Sequence, residues 1–275
     1  MPSLEKIILL YETCNKVSYT DQGQENAPTI IFIHGFPLNK SMWKKQVEAL
    51  EPNYRVITYD IRGHGNSEAG DVDFSIDLFA EDLLSLMDAL KINKASLCGL
   101  SMGGYIALNA FLNHPQRFSA LILCDTTCFA DTPEIRENRM KTIGSIRESG
   151  VEKYADLSIN KLFAPNSILT RKEEVSAVKA MIMDTNEQTL AKTLTALATR
   201  NETCTKLSEI NLPVLIMVGD QDIVTPPENA QFINDSINGS LLVIVEQAGH
   251  LSNLENPEQF NNQLNWFLST LHLED

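Results

Sequence analysis

One serine in the chain has the neighbours expected of a catalytic nucleophile. Ser101 lies midway between Gly99 and Gly103, in a Gly-x-Ser-x-Gly pattern. The apolar run 95–98 precedes this pattern and apolar residues at helical spacing follow it, which predicts a strand, a sharp turn and a helix. Such a turn holds the serine hydroxyl above the sheet, where the helix N-terminus favours a negative oxygen. The pattern alone also occurs in ordinary glycine-rich turns, so the remaining chain has to decide.

A serine hydroxyl is a weak nucleophile at neutral pH and needs a base within hydrogen-bond reach. The best candidate is His250, which follows Gly249 in the loop after the strand predicted at 240–245. Its imidazole can accept the serine proton and return it to a leaving group. We expect structural or non-chemical roles for the other histidines of the chain: His34, His64, His114 and His272.

The third member of such a site is an acid that orients the imidazole and stabilises its cation. Three aspartates compete for this role, because each follows a predicted strand: Asp125, Asp220 and Asp222. We favour Asp222, since it lies beyond the end of its strand and has room to reach across the sheet edge.

Acyl transfer also needs N–H donors for the oxygen that becomes negative in the transition state. Met102 follows the candidate nucleophile and presents one backbone N–H at the start of the helix. Phe36, in the turn after the strand 29–33, is the natural source of the second. Pro37 has no N–H and cannot serve, although it can fix the loop, with a cis bond as one option.

Strand and helix patterns alternate along the chain, which predicts an α/β fold with a mostly parallel sheet. Near-continuous apolar runs such as 29–33 are typical of strands covered on both faces. We expect helices over 42–50, capped by Ser41, over 77–90, and from Asn256 onward. The predicted strands lie at 7–11, 16–19, 29–33, 55–59, 95–98, 120–124, 213–218 and 240–245.

The segment 131–204 differs from the rest of the chain. Its pattern is helical and rich in charge, with expected stops at Gly144, Gly150 and Ala164-Pro165, and it has no parallel-strand signal. We therefore predict a core domain from residues 1–130 and 205–275, with 131–204 inserted as a helical cap, or lid.

Composition narrows the functional classes. The chain has 275 residues and a formal net charge of −14, which argues against nucleic-acid or anionic-membrane partners because both require basic surfaces. No apolar run approaches the ~20 residues that span a bilayer, and no secretory signal pattern is recognised. Five scattered cysteines offer no zinc spacing, and Cys98 and Cys124 are expected to be buried thiols. We expect a cytoplasmic protein.

These segments together resemble the α/β-hydrolase family, in the family's own order over residues 5–271. Within the family the chain is most similar to bacterial carboxylesterases and 3-oxoadipate enol-lactonase-like members. The epoxide hydrolases and haloalkane dehalogenases share the first segment, but their nucleophile is aspartate and Ser101 argues against both. The matching segments are His34-Gly35-Phe36-Pro37, Asp60-x-Arg62-Gly63-His64-Gly65-x-Ser67, Gly99-Leu100-Ser101-Met102-Gly103-Gly104, Gly219-Asp220-Gln221-Asp222 with Thr225-Pro226-Pro227, and Ala248-Gly249-His250.

The resemblance implies an eight-stranded, mostly parallel sheet with helices on both faces, a helical cap after the sixth strand, and no metal or organic cofactor. The expected activity is hydrolysis of a small carboxylic ester, thioester or lactone through an acyl-enzyme on Ser101. Two alternatives stay open: an acyltransferase or perhydrolase that uses the same triad, and a ligand-sensing receptor built on a hydrolase fold. The sequence leaves the oligomeric state and the physiological substrate undetermined.

Overall fold

A single eight-stranded sheet organises the protein. The computed structural model describes residues 5–10, 12 and 15–271. Its strands, in spatial order β1-β2-β4-β3-β5-β6-β7-β8, pair parallel from β4 onward, while β1–β2 and β2–β4 are antiparallel. The strands are β1 (Lys6–Leu10), β2 (Asn15–Gln22), β3 (Thr29–Ile33), β4 (Arg55–Tyr59), β5 (Ala95–Leu100), β6 (Phe118–Cys124), β7 (Val214–Gly219) and β8 (Leu241–Val245).

Helices separate most of the strands along the chain. They are α1 (Lys44–Leu50), α2 (Ile76–Ala89), α3 (Met102–Asn113), α4 (Pro133–Leu162), α5 (Pro165–Thr170), α6 (Lys172–Asp184), α7 (Glu187–Thr199), α8 (Pro227–Ser236), α9 (Ser252–Glu255) and α10 (Pro257–Thr270). Short 3-10 helices cover Lys40–Trp43, Pro115–Arg117 and Cys204–Glu209. The mostly parallel α/β architecture predicted from the sequence is confirmed.

Both faces of the sheet are buried, and β3 shows how its sequence achieves this. Ile31 and Ile33 point into one hydrophobic cluster, which also contains side chains of α2, α3 and α8. Ile30 and Phe32 point into the opposite cluster, which contains side chains of α1 and α10. Because successive side chains of a strand point to opposite faces, a strand covered on both sides has to be apolar throughout.

The order of the strands creates a crevice for a functional site. From β3 the chain passes to β4 on one side and then to β5 on the other. Loops that leave the carboxyl ends of β3 and β5 therefore diverge at this edge of the sheet, which is where open α/β sheets bind ligands. Phe36 follows β3 and Ser101 follows β5, so both lie at this crevice.

Four helices, α4 to α7, lie between β6 and β7. Gly150, with a φ of 82°, interrupts α4, as a glycine in the left-handed region can do without steric cost. The expected stop at Gly144 is wrong: α4 continues through it, since one helical glycine costs only about 1 kcal/mol relative to alanine. The break at Ala164-Pro165 is observed between α4 and α5.

The structure also corrects some local predictions. Asn39, not Ser41, caps the helical turn before α1, and its side chain accepts a hydrogen bond from the Ser41 N–H. Two helices, α8 and α9, carry no expectation from the sequence. The last residue of the first predicted strand, Tyr11, lies outside the described residues, as does Cys14.

A disulfide joins Cys128, four residues after β6, to Cys204, the first residue of the 3-10 helix that precedes β7. The sequence analysis did not identify this bond. Cys98 and Cys124 are buried free thiols, as expected. Within the described part of the chain, no helix combines the length and apolar character needed to cross a bilayer.

Candidate active site

Ser101 occupies a backbone conformation that few non-glycine residues adopt. Its φ is 53° and its ψ is −113°, at the junction between β5 and α3. A Cβ on Gly99 would lie 2.2 Å from the Gly103 carbonyl oxygen, and one on Gly103 would lie 2.2 Å from the Ile33 carbonyl oxygen. Neither position can accommodate a side chain without backbone movement, so the spacing of the two glycines follows from the tightness of this turn.

Hydrogen bonds to the neighbouring strand hold this turn in place. The Ser101 N–H donates to the Cys124 carbonyl at the end of β6, with an N–O distance of 2.9 Å. The Thr126 hydroxyl donates to the Ser101 carbonyl at 2.8 Å. The serine backbone is thus anchored on both sides of its strained conformation, which leaves its hydroxyl at the carboxyl edge of the sheet.

Asp222 and His250 meet at the same edge. Asp222 lies in the turn after β7 and His250 in the loop after β8, and their Oδ2 and Nδ1 atoms are 2.7 Å apart. The other oxygen of Asp222 accepts the N–H groups of Val224 and Thr225, and the Thr225 hydroxyl donates to Oδ2 at 2.8 Å. Three donors from Val224 and Thr225, together with the imidazole itself, therefore fix the Asp222 carboxylate.

The two side chains stabilise each other's charge. Burial alone would raise the pKa of Asp222, but the charge and hydrogen bond of His250 and the N–H groups of Thr225 and Val224 lower it overall. Burial alone would lower the pKa of His250, but the charge and hydrogen bond of Asp222 raise it overall. An imidazole with a raised pKa is a better proton acceptor, which suits a general base.

The Ser101 hydroxyl and the His250 imidazole are not hydrogen-bonded to each other in this conformation. His250 Nδ1 faces Asp222 and Thr225, and no hydrogen bond among the described residues joins the imidazole to the Ser101 hydroxyl. Catalytic hydrogen bonds are often long in unliganded enzymes and shorten when substrate binds. The structure therefore brings Asp222 and His250 into contact and positions Ser101 independently at the same sheet edge.

Phe36, in the loop after β3, and Met102, the first residue of α3, follow neighbouring strands at equivalent positions. In the β3–β5 pairing Ile33 is opposite Gly99, and each candidate donor follows its paired residue by three positions. A Cβ on Gly35 would lie 3.5 Å from the Ser101 Cβ, so the β3 loop contacts the nucleophile turn. The peptide bond between Phe36 and Pro37 is cis.

The remaining acids do not contact the imidazole. Asp125 accepts the Gly219 N–H at 2.9 Å and the Ser252 hydroxyl at 2.5 Å, and burial together with the charge of Asp222 raises its pKa. Asp220 accepts the Ala248 N–H at 3.0 Å. Of the three aspartates, Asp222 is the one bonded to the histidine.

His34 and His64 have structural surroundings. His34 Nε2 accepts the Ile61 N–H at 2.9 Å, and burial lowers its pKa to about 4. His64 lies 3.1 Å from the Arg62 carbonyl through Nδ1, and burial lowers its pKa to about 3. Both are neutral at physiological pH. His114 follows the last residue of α3, and His272 lies outside the described residues.

Residues near Ser101, Asp222 and His250 that the sequence analysis missed include Thr225 and Tyr105. Thr225 follows Asp222 by three residues, and this Asp-x-x-Thr spacing is the signal of a turn in which the two side chains can meet. Tyr105, one helical turn after Ser101, is close enough for the serine hydroxyl to influence its pKa, which burial raises. The Arg200 guanidinium stacks on the Tyr105 ring at 4.4 Å and pairs with Asp131.

No group of three or more His, Cys, Asp or Glu side chains among residues 5–10, 12 and 15–271 has the arrangement of a metal site. Ser101, Asp222 and His250 can themselves perform nucleophilic attack and proton transfer, supported by backbone N–H donors.

Comparison with known proteins agrees with the architecture. Residues 28–257 match the family described as having the alpha/beta hydrolase fold. Because this match covers most of the chain, the protein belongs to the α/β-hydrolase fold family. The resemblance noted from the sequence motifs is thereby confirmed.

Several relatives have descriptions that name an activity. The chain is 32% identical to a 3-oxoadipate enol-lactonase 2 of Acinetobacter baylyi over 246 residues, or 90% of each protein. It is similar to the structure of a thermophilic esterase from Thermogutta terrifontis, with a TM-score of 0.92, 30% identity and coverage of 98% and 100% of the two chains. The enol-lactonase of Burkholderia xenovorans gives a TM-score of 0.89 at 28% identity, with 96% and 100% covered.

Proposed function

We propose that the protein is a serine hydrolase that cleaves a small carboxylic ester or lactone through an acyl-enzyme. The observation that carries the proposal is the 2.7 Å contact between Asp222 and His250 at the sheet edge where the strained Ser101 turn also lies. Relatives named as enol-lactonases and esterases support the same reaction class. A thioester is a further substrate of the same chemistry.

In this mechanism His250 accepts the Ser101 proton while the serine oxygen attacks the carbonyl carbon. The Asp222 carboxylate stabilises the imidazolium that forms. The backbone N–H groups of Phe36 and Met102 stabilise the negative carbonyl oxygen of the tetrahedral intermediate. The intermediate collapses as His250 protonates the leaving oxygen, and an acyl-enzyme remains on the serine.

Water then completes the reaction by the same steps in reverse. His250 removes a proton from the water, the hydroxide attacks the acyl carbon, and the proton returns to Ser101 as the carboxylic acid leaves. The acceptor decides between hydrolysis and transfer, because an alcohol or hydrogen peroxide in place of water would give the acyltransferase or perhydrolase reaction.

The experiment that tests the proposal compares wild type with Ser101→Ala. The variant should lose turnover of a short-chain p-nitrophenyl ester and of an enol lactone, while its circular dichroism spectrum stays unchanged. An organophosphate probe should add one adduct to Ser101 in wild type, detected by peptide mass spectrometry, and none in the variant. Wild-type rates in a folded Ser101→Ala protein would refute the proposed function. A persistent acyl adduct with single turnover would instead support the receptor alternative.

We further propose that residues 131–204 act as a cap that selects the substrate, with 1–130 and 205–275 as the catalytic core. Four helices fill this interval, and Phe36 of the candidate site packs against apolar side chains of α4 and α7. Exchanging α4 to α7 for the corresponding helices of an esterase relative should change the preference among esters and lactones. The Ser101 adduct should still form, because the triad lies outside the exchanged segment.

The proposed cytoplasmic location stays a prediction. The Cys128–Cys204 disulfide bears on it, because disulfides persist mainly in oxidising compartments. Cell fractionation followed by non-reducing peptide mapping would determine the location and the redox state together.

A further inference from the structure

Glu255 is a buried carboxylate that the proposed reaction does not use. It ends α9, five residues after His250, and 2% of the residue is exposed. Buried acids are usually paired with a cation, yet no Lys, Arg or His among the described residues forms an ion pair with Glu255. Its partners include N–H groups from two separate parts of the chain and the Ser167 hydroxyl.

One partner belongs to the loop that carries the proposed base. Glu255 Oε1 accepts the N–H of Gly249, the residue before His250, at 2.9 Å. The other partner belongs to the helices between β6 and β7. Oε2 accepts the N–H of Ala164, between α4 and α5, at 2.8 Å. A single carboxylate thus bridges the histidine loop and the base of the α4–α7 segment.

Two further contacts join the same segments directly. The His250 N–H donates to the Leu162 carbonyl, the last residue of α4, at 2.9 Å. A Cβ on Gly249 would lie 2.6 Å from the Ala164 nitrogen, so only glycine allows the two backbones to approach this closely. The loop that carries His250 therefore cannot shift without also moving residues 162–164.

Electrostatics favour a positioning role over simple packing. Burial raises the pKa of Glu255, while the Ser167 hydroxyl and the backbone N–H groups lower it. The acids that face His250 are Asp222, Asp125 and Glu255, and the charge of each raises the pKa of the imidazole against the effect of burial. Glu255 is thus close enough for its charge to raise the pKa of His250, although it forms no hydrogen bond with the imidazole.

We propose that Glu255 is the positioning residue that locks the His250 loop to the base of the α4–α7 segment, so that the proposed base and the cap move as one unit. This inference rests on the proposed role of His250. It implies that the cap residues 162–164 determine the orientation of the imidazole as well as access to Ser101. A misplacement of about 1 Å in a reacting group can lower a rate about 100-fold. Loss of the Glu255 hydrogen bonds should therefore lower the rate of the reaction.

Two substitutions separate position from charge. Glu255→Gln keeps the shape but removes the charge and one of the two acceptor oxygens, so an amide NH2 would face an N–H donor. We expect kcat to fall about 10- to 100-fold with little change in KM. We also expect the acidic midpoint of the kcat/KM profile to move to lower pH, because one of the charges that raise the pKa of His250 is lost.

Glu255→Asp retains the charge but is one methylene shorter and cannot reach both N–H groups. Its kcat should also fall, while its acidic midpoint should stay nearer that of wild type. The matched control is Glu258→Gln in the exposed first turn of α10, which should leave both kcat and the midpoint unchanged. Circular dichroism identifies any variant that does not fold, and Glu255→Asp keeps the test decisive if Glu255→Gln is such a variant.

The outcomes distinguish this inference from the proposed function. Folded Glu255 variants with wild-type kcat and wild-type pH midpoint, beside an inactive Ser101→Ala, would overturn the lock and leave the serine mechanism intact. An active Ser101→Ala would overturn the proposed function instead. A fall in thermal stability with no change in kcat per folded molecule would show a structural role only, and would also overturn the inference.

Discussion

The Oδ2 atom of Asp222 lies 2.7 Å from Nδ1 of His250, and both side chains are buried. We expect Asp222→Asn to lower kcat by about 10³- to 10⁴-fold, since an amide cannot stabilise the imidazolium or fix its tautomer. Asp125→Asn should cost much less, because the Asp125 carboxyl bonds to Gly219 and Ser252 instead of the imidazole. Steady-state kinetics on a p-nitrophenyl ester measures both. Equal losses would contradict the assignment of the acid.

The raised pKa of His250 predicts how activity depends on pH. The base must be neutral to accept the serine proton, so activity falls as pH decreases through the pKa of the imidazole. Because Asp222 raises this pKa above its usual 6.5 against the effect of burial, the acidic midpoint of kcat/KM should lie above pH 6.5. A rate profile from about pH 5 to about pH 8 measures it. A midpoint below 6.5 would contradict the predicted direction.

The buried ion pair between Arg62 and Asp82 predicts a large effect on stability. The guanidinium meets both carboxylate oxygens at 2.6 and 2.7 Å, and both side chains are almost fully buried. Asp82→Asn should lower the free energy of unfolding by about 3–5 kcal/mol, because it removes the negative charge from a buried, doubly hydrogen-bonded ion pair.

The matched control is on the same helix. Asp88 of α2 pairs with Arg117 at the surface, where Asp88→Asn should cost less than about 1 kcal/mol. Urea unfolding of the two variants gives the comparison. Similar losses in both would show that burial does not set the value of these pairs.

The disulfide between Cys128 and Cys204 predicts a redox-dependent stability. The bond closes a loop with a sequence separation of 76 residues, and removing such a crosslink typically costs about 2–4 kcal/mol of unfolding free energy. Dithiothreitol should therefore lower the melting temperature of wild type and leave a Cys128→Ser, Cys204→Ser double variant unaffected. Cys98 and Cys124 provide no competing crosslink, since both are free thiols. An equal response in the double variant would refute the prediction.

The sequence was informative wherever a short segment had to satisfy a local requirement. The turn at Ser101 needs glycine at 99 and 103 because of contacts within a few residues and with one neighbouring strand. The near-continuous apolar strands required a buried parallel sheet for the same kind of reason. Such features predict the fold and direct attention to the correct edge of the sheet.

Relationships between distant segments could not be predicted in this way. Cys128 and Cys204 have no characteristic spacing, and they meet because β6 and β7 are neighbours in the sheet. Asp125 and Asp222 both follow strands, and only the path of the turn containing Thr225 decides which one faces the imidazole. Glu255 would have looked like an ordinary helical acid, since its burial depends on the approach of Ala164 from another part of the fold.

The Cys128–Cys204 bond has a consequence for the topology of the chain. It joins the segment that follows β6 to the segment that leads into β7. The α4–α7 segment is therefore a covalently closed loop. A protease cut anywhere inside this loop leaves both halves linked to each other and to the core. The sheet, with Ser101, Asp222 and His250, would then survive as one molecule, and the two fragments would separate only after reduction.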